Sequence, residues 1–203
     1  PLMVRVARLQ IYVIGLVVLG VVCFGRSFID LWVGDSFTGS YICAILIIVP
    51  SLFQLPQEIG LQAIHVKNKV KPLARVFVCM AIISLVFSLM LAKPFGAIGI
   101  GISVFLAYIL RTIGMDVILY RYLNINVFVF FKESFVKQAI PLFICLIVGL
   151  AIENFLSVAG WIGFIIKGGM FCVCYGLINY TLAMTDSEKQ LILVFISKVF
   201  KLI

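Results

Sequence analysis

The chain has 203 residues, of which 64% are apolar and 12% are charged, and its formal net charge is +8. A soluble domain of this length cannot bury so much apolar surface, so the composition excludes the soluble classes. The positive charges are spread like those that orient a membrane protein against an anionic leaflet, which argues against a nucleic-acid partner.

Six apolar stretches are long enough to cross a bilayer. A spanning helix needs about 20 mainly apolar residues, and a lipid-exposed strand would leave backbone groups unpaired. We therefore predict an all-α, polytopic membrane bundle of about six helices, at residues 9–25, 41–64, 73–92, 95–120, 135–152 and 158–184. The fifth stretch is short and has Pro141 near its start, so five spans remain an alternative.

The last residues predict a different kind of helix. Thr185 and Glu188 have the spacing of a capping box, and the apolar residues that follow fall on one half of a helix, with Lys198 and Lys201 on the other. We therefore divide the chain into a six-span bundle at 1–184 and an amphipathic helix at 185–203 on the cytoplasmic surface.

The positions of the cations predict the orientation. Twelve of the sixteen Lys and Arg residues lie on one side of the membrane, at the termini or in the connections that follow the second and fourth spans. Arg26 and Lys93 lie in the connections on the opposite side. By the positive-inside rule both termini are cytoplasmic. Since the chain begins with Pro1 and has no charged leader with a cleavage site, we expect it to be a piece of a longer protein.

The sequence has few of the cysteine and histidine motifs that are typical of metal sites and catalytic triads. All six cysteines lie within predicted spans, where such residues usually pack as small hydrophobes, and His65 is the single histidine. A lone histidine excludes His-paired triads and multi-histidine metal sites. We predict no metal site, no cofactor and no enzymatic activity.

Charged residues inside the predicted spans carry more information. Glu58, Arg111, Asp116 and Lys167 each lie in a span, where a central charge costs about 2.5–3.5 kcal/mol and usually marks a pathway or a pair. Arg111 and Glu58 lie at similar depths from the same end and can pair across helices. Arg111 and Asp116 lie about 140° apart around one helix, which makes a pair between them poor.

The second, third and fourth spans have further polar and small residues. The second span contains Pro50, Pro56, Gln54, Gln57 and Gln62, a pattern typical of a kinked helix that lines a hydrated cavity or of a bent structural helix. Small residues recur every four positions in the next two spans, which predicts a closely packed antiparallel hairpin. They are Ser84, Ser88 and Ala92, then Gly99, Ser103 and Ala107.

Several segments resemble a known family. The run from Arg26 to Phe37 (RSFIDLWVGDSF), followed by Tyr41 and a polar span ending near Gln62, resembles the second half of Wzx-type polysaccharide flippases. The glycine turn after Phe95 and the closing 185–201 segment are similar to the same family. Lipid II flippases and multidrug extruders of the same superfamily share much of this pattern.

The resemblance implies a C-terminal lobe whose missing N-terminal lobe forms the other wall of a central cavity. The implied activity is movement of an undecaprenyl-pyrophosphate-linked oligosaccharide from the cytoplasmic to the periplasmic leaflet of the bacterial inner membrane, during O-antigen or lipopolysaccharide synthesis, by alternating access. Implied partners are membrane lipid, the lipid-linked oligosaccharide, the missing lobe and polysaccharide-assembly membrane proteins, without nucleic acid.

The candidate site residues follow from the charge of that substrate. A pyrophosphate that crosses hydrocarbon needs embedded cations and hydrogen-bond donors, so we assign Arg111, Lys167, Gln54 and Gln57 to substrate binding. Glu58 and Asp116 are candidates for ion coupling or for charge pairing. These two acids also keep open an ion-coupled multidrug or cation exporter.

Two further classes are weaker alternatives. A membrane oligosaccharide polymerase or ligase usually needs a large outer loop, and the outer connections here are short. A scaffolding subunit would need none of the charges that lie inside the spans.

Overall fold

A computed structural model describes residues 2–34, 37–124, 126–156, 160–185 and 188–189. Within these ranges the secondary structure is helical, without a strand, which confirms the all-α prediction. The helices are α1 Leu2–Trp32, α2 Thr38–Ile48, α3 Ser51–Val66, α4 Val70–Leu123, α5 Val127–Phe131, α6 Lys137–Phe155 and α7 Gly160–Ile178. A short π-helical turn at Lys132–Val136 precedes α6, and another at Asn179–Ala183 follows α7.

Five helical stretches in the described ranges are long and apolar enough to cross a membrane, so the chain is a multi-pass membrane protein. They are Val4–Trp32, Gly39–Val66, Val70–Leu123, Val129–Phe155 and Gly160–Ala183. The first is longer than predicted, since α1 begins before Arg8 and continues beyond Arg26. Long charged side chains can extend from an apolar stretch toward a polar partner, so cations do not end a helix.

The longest helix, α4, consists of two arms that fold back on each other at Gly96. This glycine has φ 57° and ψ −136°, a conformation that interrupts a helix and is open to glycine. Ser88 Oγ of the first arm lies 2.5 Å from Ser103 Oγ of the second. Gly99 packs so closely against the backbone of Leu91 that a Cβ has no room. Because α4 has two arms, the five long helical stretches in the described ranges comprise six apolar segments, and the predicted small-residue hairpin is present.

The second predicted span is broken in its middle. α2 ends at Ile48 and α3 begins at Ser51, because Pro50 between them has no N–H to continue the hydrogen-bond ladder. Pro56 lies inside α3 without ending it. The helix is therefore interrupted at Pro50, one of the two prolines from which the sequence predicted a kink, while Val49 and Pro50 keep right-handed helical backbone angles.

α1 is the central helix and contacts α2, α3, α6 and α7, whereas α4 packs mainly on α2 and α3. The bundle consequently has two apolar clusters. One joins α1, α6 and α7 and includes Phe24, Cys145 and Phe171. The other joins α3 to both arms of α4 through Leu61, Leu73 and Met115. These two halves hold different charged groups.

The start of the predicted tail is docked against the bundle. The backbone N–H of Thr185 donates to Oε2 of Glu188 at 2.9 Å, which is one of the two hydrogen bonds of the predicted capping box. The remaining residues of the predicted amphipathic helix, 186–187 and 190–203, lie outside the described residues.

Candidate functional site

The predicted pair between Arg111 and Glu58 is present and joins α4 to α3. Arg111 donates from Nη2 to Oε1 of Glu58 and from Nη1 to Oε1 of Gln54, the latter at 2.7 Å. Its guanidinium carbon also lies 5.3 Å from the ring centre of Phe77, on the other arm of α4. The Arg111 side chain is 8% exposed and that of Glu58 is 35% exposed, so the pair is open on the acidic side.

A second contact joins the same helices one turn away. The buried Gln57 donates from Nε2 to Oδ1 of Asp116 at 2.7 Å. Asp116 therefore interacts across helices and not with Arg111. Gln54, Gln57 and Glu58 share one face of α3 because residues three and four apart are neighbours on a helix. We call these three residues together with Arg111 and Asp116 the polar seam.

The polar seam contains a buried donor without an acceptor. Gln54 uses its Oε1 atom for Arg111, while its buried Nε2 atom has no hydrogen-bond partner among the described residues. Buried polar side chains are usually satisfied, so an unpaired buried N–H group marks a place where water or a ligand oxygen can bind. Beside a guanidinium, the oxygen of an anion fits this position best.

Lys167 lies in the other half of the bundle. Its Nζ atom is 3.2 Å from Oε2 of Glu153, and Ser27 donates to the other oxygen of the same carboxylate. This cluster joins α1, α6 and α7, so the structure does not bring Lys167 and Arg111 into one site. Glu153 was missed in the sequence because it follows the predicted end of the fifth span at Ile152.

A third ion pair was also missed. Arg8 Nη2 lies 3.3 Å from Oε2 of Glu188, and both side chains are buried. The same nitrogen and the hydroxyl of Tyr12 donate to the carbonyl of Ala183, at 2.7 and 3.0 Å. Arg8 was interpreted as a connection residue because it precedes the first apolar run. The capping box at Thr185 was the available signal that Glu188 has a fixed position.

All three clusters place a buried cation against a carboxylate, which is the usual condition for a charge in a low-dielectric interior. The three clusters differ in how exposed the acid is: 35% for Glu58, 21% for Glu153 and 2% for Glu188. Buried nitrogens without a described partner occur at Gln54 in the polar seam and at Arg8 in the Arg8–Glu188 cluster, where the acid is closed off. The polar seam combines such a donor with the most exposed acid, so it is the cluster best suited to exchange its internal acid for an external anion.

Comparison of the chain with protein-family models gives no match, and neither does comparison with curated proteins or with solved structures. The functional argument consequently depends on the side chains described above and on the motifs in the sequence.

Proposed function

We propose that this chain is part of a flippase for lipid-linked oligosaccharides. It would move undecaprenyl-pyrophosphate-linked repeat units from the cytoplasmic to the periplasmic leaflet of a bacterial inner membrane by alternating access. The multi-pass helical architecture and the residues from Arg26 to Phe37 support this proposal. The observation that carries it is the buried guanidinium of Arg111 beside the unsatisfied donor of Gln54.

The chemistry of the polar seam matches the demand of such a substrate. A pyrophosphate that enters an apolar region must exchange its water for cationic and N–H donors, since an unpaired charge there is very costly. Arg111 presents a planar set of donors that suits phosphate oxygens. In the structure Glu58 accepts from Nη2 of Arg111, and Gln54 accepts from Nη1.

Substrate binding at the polar seam is an exchange of anions. A phosphate oxygen displaces the partly exposed carboxylate of Glu58 from Arg111, and Nε2 of Gln54 donates to a second phosphate oxygen. Glu58 then becomes accessible to a proton or a cation, which gives this acid the role of a coupling group. Lys167 has its own partner in Glu153, so its contact with substrate requires separation of that pair.

An ion-coupled cation exporter is the second candidate. Asp116 favours it, because the described hydrogen-bond partner of this carboxylate is the neutral amide of Gln57. A membrane carboxylate without a cationic partner can bind a proton or a positively charged substrate. Under this alternative Asp116, and not Arg111, is the residue that transport requires.

The full-length protein in its native cell provides the test. Deletion of the gene should remove surface polysaccharide and cause the lipid-linked repeat unit to accumulate in the cytoplasmic leaflet. The wild-type gene and the surface variant Arg75→Gln should restore the polysaccharide, since Arg75 is exposed. Unchanged polysaccharide in the deletion strain, with increased sensitivity to cationic drugs, would contradict the flippase and favour the exporter.

A further inference from the structure

A long apolar groove follows one face of α1. It consists of two depressions, of about 650 and 350 Å³, that share Val17. The α1 residues that line them extend from Val6 to Trp32, which corresponds to about 40 Å at about 1.5 Å per residue. We call this surface the α1 groove; α2 and α7 form its walls in the wider part, and Leu55 of α3 forms a wall in the narrower part.

The wider part of the α1 groove is lined mainly by aromatic and aliphatic side chains. The rings of Phe24 on α1 and Phe171 on α7 pack edge to face with centroids 5.4 Å apart, which fixes the two helices relative to each other. Phe28, Trp32 and Phe164 continue the aromatic lining. Such a surface binds hydrocarbon and has few hydrogen-bonding groups for a polar ligand.

Two of the glycines that line the groove have open space beside them. Gly20 on α1 and Gly168 on α7 both line it, and a Cβ atom on either would meet nothing within 4 Å. A larger side chain at these positions would therefore occupy groove volume without colliding with the protein. Gly169, the neighbour of Gly168, is equally open but does not line the groove.

We propose that the α1 groove holds the isoprenoid chain of the lipid-linked substrate, an inference that rests on the proposed function. The groove belongs to a membrane-spanning helix, so hydrocarbon and not water fills it. A hydrocarbon core is about 30 Å thick, and a phospholipid chain occupies one leaflet of it. A groove that follows α1 through both leaflets fits a chain longer than a phospholipid chain, and an undecaprenyl chain has that length.

Charge complementarity supports an anionic lipid. Arg26 does not line the groove, but it lies about one turn before the groove residue Ile29 on α1, beside the rim, and its side chain is 69% exposed. Its ion pair with Asp30 is long, at 3.9 Å, and exposed pairs of this kind contribute little. The groove therefore has an accessible cation beside its wider part, near the C-terminal end of α1, where a lipid phosphate can bind.

Photolabelling of the full-length protein tests the groove. The protein is reconstituted in vesicles of phosphatidylethanolamine and phosphatidylglycerol with undecaprenyl phosphate that carries a benzophenone on its chain. Labelled peptides should include the segments around Gly20 and Gly168, and unlabelled undecaprenyl phosphate should compete while extra phosphatidylglycerol should not. Gly20→Leu and Gly168→Leu should reduce labelling by about tenfold, because the added side chain fills the groove.

Matched variants separate groove filling from misfolding. Gly169→Leu adds the same side chain one position along α7 and should label like the wild type, as should Gly20→Ala, which leaves most of the volume open. Equal competition by phosphatidylglycerol, or absence of label on α1 and α7, would overturn the proposal. If deletion of the gene removes surface polysaccharide but the protein takes up no label, the assignment of the groove to the isoprenoid chain is wrong and the proposed function stands. If the groove is labelled but deletion of the gene leaves the polysaccharide intact, the proposed function is wrong.

Discussion

Lys167 on α7 lies 3.2 Å from Oε2 of Glu153 on α6, and Ser27 of α1 donates to the same carboxylate. One acid therefore joins the neighbouring spans α6 and α7 to α1, which is distant from both in the sequence. A charge inside a membrane bundle is tolerated when it is paired, and removal of one partner leaves the other unpaired in a low-dielectric interior. The same reasoning applies to Arg111 with Glu58.

Replacement of Lys167 by Met should destabilise the bundle by about 3–5 kcal/mol, because it leaves Glu153 without its cation. The double variant Lys167→Met with Glu153→Gln should recover most of this loss, since no unpaired charge remains. The measurement is the thermal unfolding midpoint of the full-length protein in detergent. Lys93→Met, at an exposed position, is the control. Wild-type stability of the Lys167→Met variant would contradict the pairing.

Arg111→Gln should lower the amount of protein in the membrane, because Glu58 then loses its partner. Addition of Glu58→Gln should restore the amount to near the wild-type level. Surface polysaccharide should stay absent in the double variant if Arg111 binds phosphate, as we propose. Recovery of both protein and polysaccharide would show that the pair has a structural role alone.

The fold-back of α4 predicts a specific disulfide. In a background without native cysteines, Ser88→Cys with Ser103→Cys should cross-link on mild oxidation, because the two hydroxyl oxygens are 2.5 Å apart. Leu89→Cys with Ser103→Cys should not cross-link, since Leu89 is largely exposed and points away from the second arm. A straight α4 would place residues 88 and 103 about 22 Å apart along its axis and would give no cross-link in either variant.

The close approach of the two arms makes Gly99 sensitive to the smallest addition. Gly99→Ala should destabilise the protein by about 1–3 kcal/mol, because its Cβ would collide with the Leu91 backbone. Gly169→Ala, where the Cβ enters open space, should be neutral or slightly stabilising. The comparison uses the same thermal measurement. Equal stability of the two variants would contradict the packing of the hairpin.

The sequence predicted the architecture well because bilayer thickness sets the length of an apolar span and small residues permit close helix contact. The break at Pro50 and the hairpin with Ser88 and Ser103 follow from such local rules. The pair between Arg111 and Glu58 was also predictable, since both residues lie inside spans at similar depth from one end.

Contacts at the ends of spans were not predictable in the same way. Glu153 and Arg8 lie just beyond the apolar runs, where composition cannot distinguish a solvated charge from a buried one. The partner of Arg8 is Glu188, which is far away in the sequence, and three-dimensional packing alone brings them together. The α1 groove likewise depends on glycines of two helices that the sequence does not place side by side.

The most direct test of the central claim is transport by the purified full-length protein. Vesicles contain a fluorescently labelled undecaprenyl-pyrophosphate oligosaccharide in both leaflets, and a membrane-impermeant reductant bleaches the label that is exposed outside. With the wild-type protein the bleaching should continue until nearly all label is lost, because the protein brings inner-leaflet label to the outside. With the double variant Arg111→Gln and Glu58→Gln, the reductant should bleach the label of the outer leaflet alone. Bleaching by the wild-type protein that stops at the outer leaflet, as in vesicles without protein, would contradict the account.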